Sequence, residues 1–399
     1  MLYRKMPKVS KELSILGFGC MRLPTEQNGT IDSPRAISQI RYAIDQGVNY
    51  LDTAWPYHGG KSEPLLGEAL KGGYRDKVNI ATKLPSWMVK DRADMDVYLN
   101  KQLELLKTES IDFYLIHNLN GPMWDNLKAK QVLDFIDKAK ASGHIKYAGF
   151  SFHGHVADFK KIIDDYDWEF CQIQYNYLDE EHQAGREGLE YAASKDLGII
   201  IMEGLRGGNL GIPEPPPEIG ALWNSAEQKR TPVEWALRWI WNHPEVTVVL
   251  SGMNQEAHIE ENLRIASEAT ANSLTETDIS IVSNVAATYK KLMKVNCTGC
   301  EYCKPCPEGV NIPAAFEVFN KLHLFKNVQE AKFMYAIRCS GILSGDEEGY
   351  ASRCIQCGEC LEKCPQQIDI PSVLEEVVTD LEDEKLYERV DKGRKMLNM

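Results

Sequence analysis

Over the first two thirds of the chain, short apolar runs rich in Val, Ile, Phe and Tyr alternate with longer stretches in which apolar residues recur every three or four positions. The short runs occupy residues 15–19, 49–52, 79–83, 113–117, 147–150, 170–174, 198–203 and 246–251, and their length and β-branched content predict strands. The longer ones, at 35–46, 97–107, 132–142, 189–195 and 232–242, predict amphipathic helices. Strand alternating with helix is the pattern of βα units and a parallel sheet. Eight such units in about 290 residues fit an α/β fold of the closed (β/α)8 or TIM-barrel type better than an open doubly wound sheet. No G-x-G-x-x-G follows the first strand, so a dinucleotide loop of that kind is not expected. Residues 1–13 are expected to form a hairpin across the bottom of the barrel. Pro213-Glu214-Pro215-Pro216-Pro217, after the seventh strand, predicts a stiff exposed loop, to be read equally as a lid or as an irregular connection. A helical pattern over 275–294 closes the barrel, and the composition then changes at Asn296-Cys297. Two domains are therefore predicted, 1–294 and 295–399.

Charge narrows the function. A net charge of -13 without a basic run argues against a nucleic-acid partner, because phosphate binding needs basic patches. It also disfavours an anionic membrane surface. The longest apolar stretch, 197–202, is far too short to cross a bilayer. Arg4, Lys5 and Lys8 near the start are followed by no apolar segment, so a secretory leader is not expected and a cytoplasmic protein is.

Barrel enzymes place their chemistry at the carboxyl ends of strands, which directs attention to polar residues that end apolar runs. Asp52 ends the second run, Lys83 the third and His117 the fourth, with Tyr57 in the loop after Asp52. Singly, each has a plain structural explanation. Together they offer a carboxylate, a phenol, an ammonium and an imidazole at one mouth, an acid-base set. Tyrosine titrates near pH 10 in isolation, and a neighbouring ammonium lowers that by favouring the phenolate.

These residues stand in segments that resemble the aldo-keto reductase family: Leu51-Asp52-Thr53-Ala54-Trp55-Pro56-Tyr57 with Glu63 downstream, Ala81-Thr82-Lys83, and Asp112-Phe113-Tyr114-Leu115-Ile116-His117. Gly149-Phe150-Ser151 and Gln172-Ile173-Gln174-Tyr175-Asn176 are similar to its carboxamide-binding segments, and 252–262 to its cofactor-phosphate and adenine segment. The resemblance covers residues 10–290. It implies reduction of a small-molecule aldehyde or ketone, with Tyr57 as general acid assisted by Asp52, Lys83 and His117, and hydride from NAD(P)H. The implied cofactor contacts are Ser151, Gln172, Met202, Leu205, Gly207, Ser251, Gly252, Asn254, His258, Glu261 and Asn262. Three departures stand out. Phe152 and His153 follow Ser151 where the family often has Asn, Met202 stands where many members stack a Tyr on the nicotinamide, and Asn254 and His258 stand where an Arg often binds the 2'-phosphate of NADP. The choice between NAD and NADP is therefore open.

Nine of the eleven cysteines follow residue 296. Eight of them form Cys297-x-x-Cys300-x-x-Cys303-x-x-Cys306-Pro307 and Cys354-x-x-Cys357-x-x-Cys360-x-x-x-Cys364-Pro365. Zinc ribbons use paired cysteines, whereas triplets at three-residue steps followed by Cys-Pro are the iron-sulfur arrangement. The tail resembles the bacterial two-cluster ferredoxin, in a variant whose insert between the motifs, 313–352, reads as helical. That resemblance implies two 4Fe-4S clusters, one on Cys297, Cys300, Cys303 and Cys364, the other on Cys354, Cys357, Cys360 and Cys306. The first run has two residues before its Cys-Pro where the ferredoxin pattern has three. Cys20, Cys171 and Cys339 are expected to be packing residues.

The combination predicts a carbonyl oxidoreductase with clusters that either conduct electrons or stabilise the tail. A nicotinamide passes two electrons and a cluster one, so the alternative is an electron-transfer protein, flavin- or ferredoxin-coupled, in which the barrel docks a redox partner or carries flavin.

Overall fold

The computed structural model describes residues 1–9, 11–26, 29–342 and 347–396. The chain divides into two compact units. One contains Met1–Glu26, Thr30–Arg206 and Arg230–Ile279; the other takes in Gly207–Lys229 and the chain from Ser280 onward.

The first unit begins with an antiparallel hairpin, β1 (Tyr3–Lys5) and β2 (Glu12–Ser14). Eight parallel strands follow: β3 (Leu16–Gly19), β4 (Tyr50–Asp52), β5 (Asn79–Leu84), β6 (Ile111–Leu119), β7 (Ile145–Phe152), β8 (Phe170–Gln174), β9 (Gly198–Met202) and β10 (Val246–Ser251). They close as a barrel in the order β10-β3-β4-β5-β6-β7-β8-β9. The α/β barrel expected from the alternating pattern is present, and its strands fall on the eight apolar runs. Polar side chains mark the helix starts. Asp32, Asp91, Asn120 and Thr231 each accept a backbone N–H in the first turn of Ser33–Asp45, Arg92–Leu106, Gly121–Ala129 and Pro232–Trp241, satisfying donors that a helix leaves unpaired.

Side chains two apart along a strand share a face, and the inward positions form layers. The lower layer is apolar: Tyr50, Ala81, Phe113, Leu115, Phe170, Ile200 and Val248 pack into one buried cluster with Met6 and Leu13 of the hairpin. Met6 lies against Gly198, where a Cβ would stand 2.7 Å from its side chain. Because Gly198 opens β9, the hairpin plugs the amino end of the barrel, as expected. The next inward positions toward the carboxyl end are Asp52, Lys83, His117 and Gln172, all buried and all polar.

The second unit is helical. Ile312–Phe325, Val328–Cys339 and Ile370–Leu381 share a core that includes Phe316, Phe319, Tyr335, Leu374 and Val377, and Cys297, Cys306, Cys354, Cys360 and Cys364 pack against it. The proline-rich segment is in part the loop expected of it, for Pro213 and Glu214 are exposed and irregular. Pro216 is buried and Pro217 opens the helix Pro217–Ser225, because a proline ring is preorganised for a first helical turn. Among the described residues no helix is long and apolar enough to cross a membrane.

Candidate active site and metal centres

Parallel register brings the tetrad together. Asp52 on β4 pairs with Ala81 on β5, and Lys83, two residues further on, pairs with Leu115 on β6, two residues before His117. Lys83 Nζ donates to Asp52 Oδ1 at 2.7 Å, to the Thr53 carbonyl at 2.8 Å and to the Tyr57 hydroxyl at 3.4 Å, so each N–H of the ammonium has an acceptor. The Tyr57 ring lies edge-on to the His117 imidazole with centroids 6.2 Å apart, and Trp87 flanks the same imidazole at 5.1 Å. Burial pushes the Asp52 carboxyl up and the Lys83 ammonium down, and their mutual attraction opposes both shifts. Burial, then the Lys83 charge and then the neighbouring His153 hold His117 well below the ordinary imidazole range, so it is neutral.

The sequence reading left Glu63 without a role. Its buried Oε1 accepts from Thr82 Oγ1 at 2.6 Å and Gln102 Nε2 at 2.7 Å. Gln102 also donates to the Lys83 carbonyl and accepts from the Tyr114 hydroxyl. This network ties the helix after the Tyr57 loop to the strand that carries Lys83. On the other side of Tyr57, His58 takes a left-handed backbone, φ 51°, and its Nε2 accepts from the Leu23 N–H at 3.0 Å. A non-glycine residue held there costs on the order of 1–3 kcal/mol, and such strain recurs at Asn118, φ 55°, and Glu203, φ 57°, each directly after a site residue.

Two of the expected carboxamide contacts sit side by side, for Ser151 on β7 is in register with Gln172 on β8. Ser151 Oγ accepts from the Asn118 N–H at 2.8 Å, which leaves its hydroxyl proton for another acceptor. Gln172 Nε2 reaches Met202 Sδ at 3.7 Å, while its Oε1 is buried without a hydrogen-bond partner among the described residues. A buried carbonyl oxygen left in that state is costly, and a carboxamide N–H would satisfy it. The residues present fit a nicotinamide amide.

Ser251, Gly252, Asn254, His258, Glu261 and Asn262 cluster where β10 runs into the helix Glu256–Ala266. Asn262 Nδ2 donates to Ser251 Oγ at 2.8 Å, and Asn262 Oδ1 is buried without a hydrogen-bond partner among the described residues. His258 is exposed. Glu261 is engaged by the Thr231 hydroxyl at 2.6 Å, and Arg264 pairs with Glu234 at 2.6 Å. One cation escaped the sequence reading: the carbon stem of Arg22, after β3, lies against Gly252, where a Cβ would stand 3.1 Å from it. Nothing in the apolar pattern points to that contact, which arises because β10 closes on β3. Leu205 lies in the turn after β9, and Gly207, φ 65°, opens the segment that belongs to the second unit.

In the second unit all eight motif cysteines are thiols outside any disulfide. Cys303 has Cys300, Cys297 and Cys364 as its thiol neighbours, and Cys360 has Cys354, Cys306 and Cys357. The last cysteine of each run thus lies with the other run, despite the shorter spacing before Cys306. The two runs are shaped alike: the Gly299 N–H reaches Cys297 Sγ and the Gln356 N–H reaches Cys354 Sγ, both at 3.4 Å. A small open pocket is lined by Cys306, Cys354, Cys357 and Cys360, with Cys303 of the other group also on its wall. Four soft thiolates around one space suit iron and sulfide. Cys20, Cys171 and Cys339 are buried and fill core positions.

An eight-stranded parallel barrel with an ion-paired acid-base set at its carboxyl end, joined to a helical cysteine unit, defines a barrel oxidoreductase of composite build. The family model for the aldo/keto reductase family matches residues 15–286, and the chain belongs to that family. A 4Fe-4S dicluster domain matches 296–368. The chain is 25% identical over 318 residues to the uncharacterized oxidoreductase YqkF of Bacillus subtilis, covering 70% of this chain and 95% of that protein. It is 24% identical to L-galactose dehydrogenase of Arabidopsis thaliana, covering 72% and 95%. Among solved structures, aldo-keto reductase AKR11C1 of Bacillus halodurans in its holo form superposes with a TM-score of 0.60 at 24% identity, covering 71% of this chain and 96% of that one.

Proposed function

We propose that residues 1–294 reduce an aldehyde or ketone to the alcohol and that residues 295–399 carry two 4Fe-4S clusters. NAD(P)H, when bound, supplies the hydride to the carbonyl carbon. Tyr57 gives its hydroxyl proton to the carbonyl oxygen, and the Lys83 charge stabilises the phenolate left behind. Asp52 keeps that ammonium charged. His117, being neutral, hydrogen-bonds the carbonyl oxygen without adding a second cation. Ser151 and Gln172 hold the carboxamide through a donor and an acceptor, Met202 lies beside them, and Ser251, Gly252, Asn254, His258 and Asn262 receive the phosphate and adenine end. Cys297, Cys300, Cys303 and Cys364 hold one cluster; Cys354, Cys357, Cys360 and Cys306 hold the other. The observation that carries the reading is the Lys83 ammonium shared between Asp52 and Tyr57.

The test is anaerobic oxidation of NADH and NADPH against a panel of carbonyl compounds. Tyr57→Phe removes one oxygen and little volume, and turnover is expected to fall about a hundred- to ten-thousandfold with cofactor binding and the cluster spectrum retained. Near-full turnover in that variant overturns the reading. Flavin released by acid, with turnover that needs reduced ferredoxin, puts an electron-transfer protein in its place.

A further inference from the structure

The three residues after Tyr57 all take left-handed backbone conformations: His58 at φ 51°, Gly59 at φ 60° and Gly60 at φ 82°. Two of them are glycines, which enter that region without steric cost. His58 is the exception, so a side chain stands where its absence would relieve the backbone. Its imidazole Nε2 accepts from the Leu23 N–H at 3.0 Å.

The other end of that bond is a fixed point. Leu23 lies in the loop after β3 with its side chain buried, and the loop is pinned on both sides of it. Before it, the Cys20 N–H donates to the Asp52 carbonyl at 2.8 Å and the Cys20 carbonyl accepts from Ser62 Oγ at 3.0 Å. After it, the Pro24 carbonyl accepts from the Asp32 N–H at 2.9 Å. The turn that carries Tyr57 is closed more loosely. The Tyr57 N–H reaches the Ala54 carbonyl at 3.2 Å, the Gly59 N–H the Pro56 carbonyl at 3.1 Å, and the Lys61 N–H the His58 carbonyl at 3.2 Å, all toward the long end for such bonds. The phenol is no better held by its own partner, for the bond from Lys83 to the Tyr57 hydroxyl, at 3.4 Å, is the longest of the three that the ammonium makes. The bond from Leu23 to His58 is shorter than any of these.

We infer that His58 is a positioning residue for the general acid: its bond to the Leu23 N–H holds the left-handed turn that sets the Tyr57 hydroxyl beside Lys83. The inference rests on the reductase reading and deepens it. Without the bond, the strain at His58 is relieved by a change of φ, and the chain on either side, Tyr57 included, shifts with it. The phenol oxygen sits at the far end of a long side chain, where a small backbone rotation becomes a large displacement, and proton transfer tolerates little of that.

Two amides that differ by one methylene separate this role from simple tolerance of the turn. Glutamine carries its carbonyl oxygen to the neighbourhood of an imidazole Nε2, so His58→Gln keeps an acceptor for Leu23. Asparagine stops short of it, yet enters the left-handed region more readily than most residues. In the full-length, cluster-bearing protein, His58→Asn is expected to lower kcat about tenfold with the KM for the carbonyl and the nucleotide Kd unchanged. His58→Gln should restore most of that loss. The reverse order, with asparagine at or above the wild type and glutamine below it, shows that only backbone tolerance counts at this position and overturns the inference, as do equal rates in the two variants. A rise in KM or Kd at unchanged kcat also overturns it, because His58 then serves binding. If the wild type oxidises neither NADH nor NADPH with any carbonyl while its clusters are intact, the reductase reading itself falls and takes this inference with it.

Discussion

In the barrel, the polar groups at the mouth hang from strands whose positions two residues earlier sit in an apolar layer. Lys83 follows Ala81, His117 follows Leu115, and Gln172 follows Phe170. In the cysteine unit most of the thiols come instead from irregular turns with positive φ at Gly299, Glu301, Gln356 and Gly358, Cys360 from the short helix Glu359–Lys363, and they lie at the margin of a helical core. The two regions hold reactive groups by different means. Sheet register places the barrel residues before any ligand arrives, so their geometry derives from hydrophobic burial and backbone pairing. Each thiol group takes one of its four members from the other cysteine run, and metal binding there adds directly to the folding free energy.

The largest effect that would break this contrast concerns the crossing of the two runs. A double variant, Cys297→Ala with Cys364→Ala, removes two ligands from one group and none from the other. It is expected to retain about four of the eight irons carried by two four-iron clusters. If each run instead served its own cluster, both sites would lose a ligand and little iron would remain; metal analysis and the visible spectrum decide.

A smaller effect probes the preformed cofactor end of the barrel. With Asn254 and exposed His258 at the positions named for the clamp, Arg264 paired to Glu234 and Arg206 to Asp179, NADP should be preferred over NAD by about tenfold or less. Binding titrations with both nucleotides measure it. A preference beyond about a thousandfold, roughly 4 kcal/mol, would assign a clamp to another cation, with Arg22 against Gly252 the first to replace.

The smallest effect sharpens the barrel's side alone. His153 binds its proton more weakly in the folded state than in the unfolded chain, whose histidines titrate near 6.5. Unfolding then takes up a proton as pH falls from 7 to 5, and the stability present at neutral pH is lost over that window. Asp52 and Glu63, both raised by burial, act in the opposite direction, so a difference between proteins isolates the histidine. His153→Phe should lose about 1 kcal/mol less than the wild type between pH 7 and pH 5, read from urea unfolding at the two values. Equal losses would place the His153 imidazole in a solvated environment.

How much of this was legible beforehand follows from which forces leave a mark on the sequence. Burial does: the eight apolar runs became the eight strands, and the polar residues ending them became the inward layer above the core. The limits of the strands were less clear. The fourth run, 113–117, extends to Ile111–Leu119, because buried Asp112 is satisfied by Arg75, Lys146 and the Ile80 N–H. All three partners come from elsewhere in the chain, so the apolar pattern gives no sign that Asp112 belongs to the strand. The same holds for the hydrogen bonds that run from Asp179 through Gln174 and Gln183 to His153, the last of which spans 30 residues, and for Arg22 beside Gly252. Cysteine spacing is local and was readable; hydrogen bonds between amides carry no periodicity. The proline segment is a loop only as far as Pro216, because its last member starts a helix.

The crossed thiol groups bear on the order in which this protein is made. Cys306 emerges from the ribosome long before its neighbours Cys354, Cys357 and Cys360, and Cys364 follows the first three thiols of its own group by about sixty residues of synthesis, several seconds at typical elongation rates. Neither set of four is complete until Cys360 and Cys364 have been translated. By then the barrel's last strand, β10, has long been available to close the sheet. The nascent chain therefore passes through a stage with the barrel strands complete and unpaired thiols exposed, and that stage is where oxygen or a wrong metal has its opportunity.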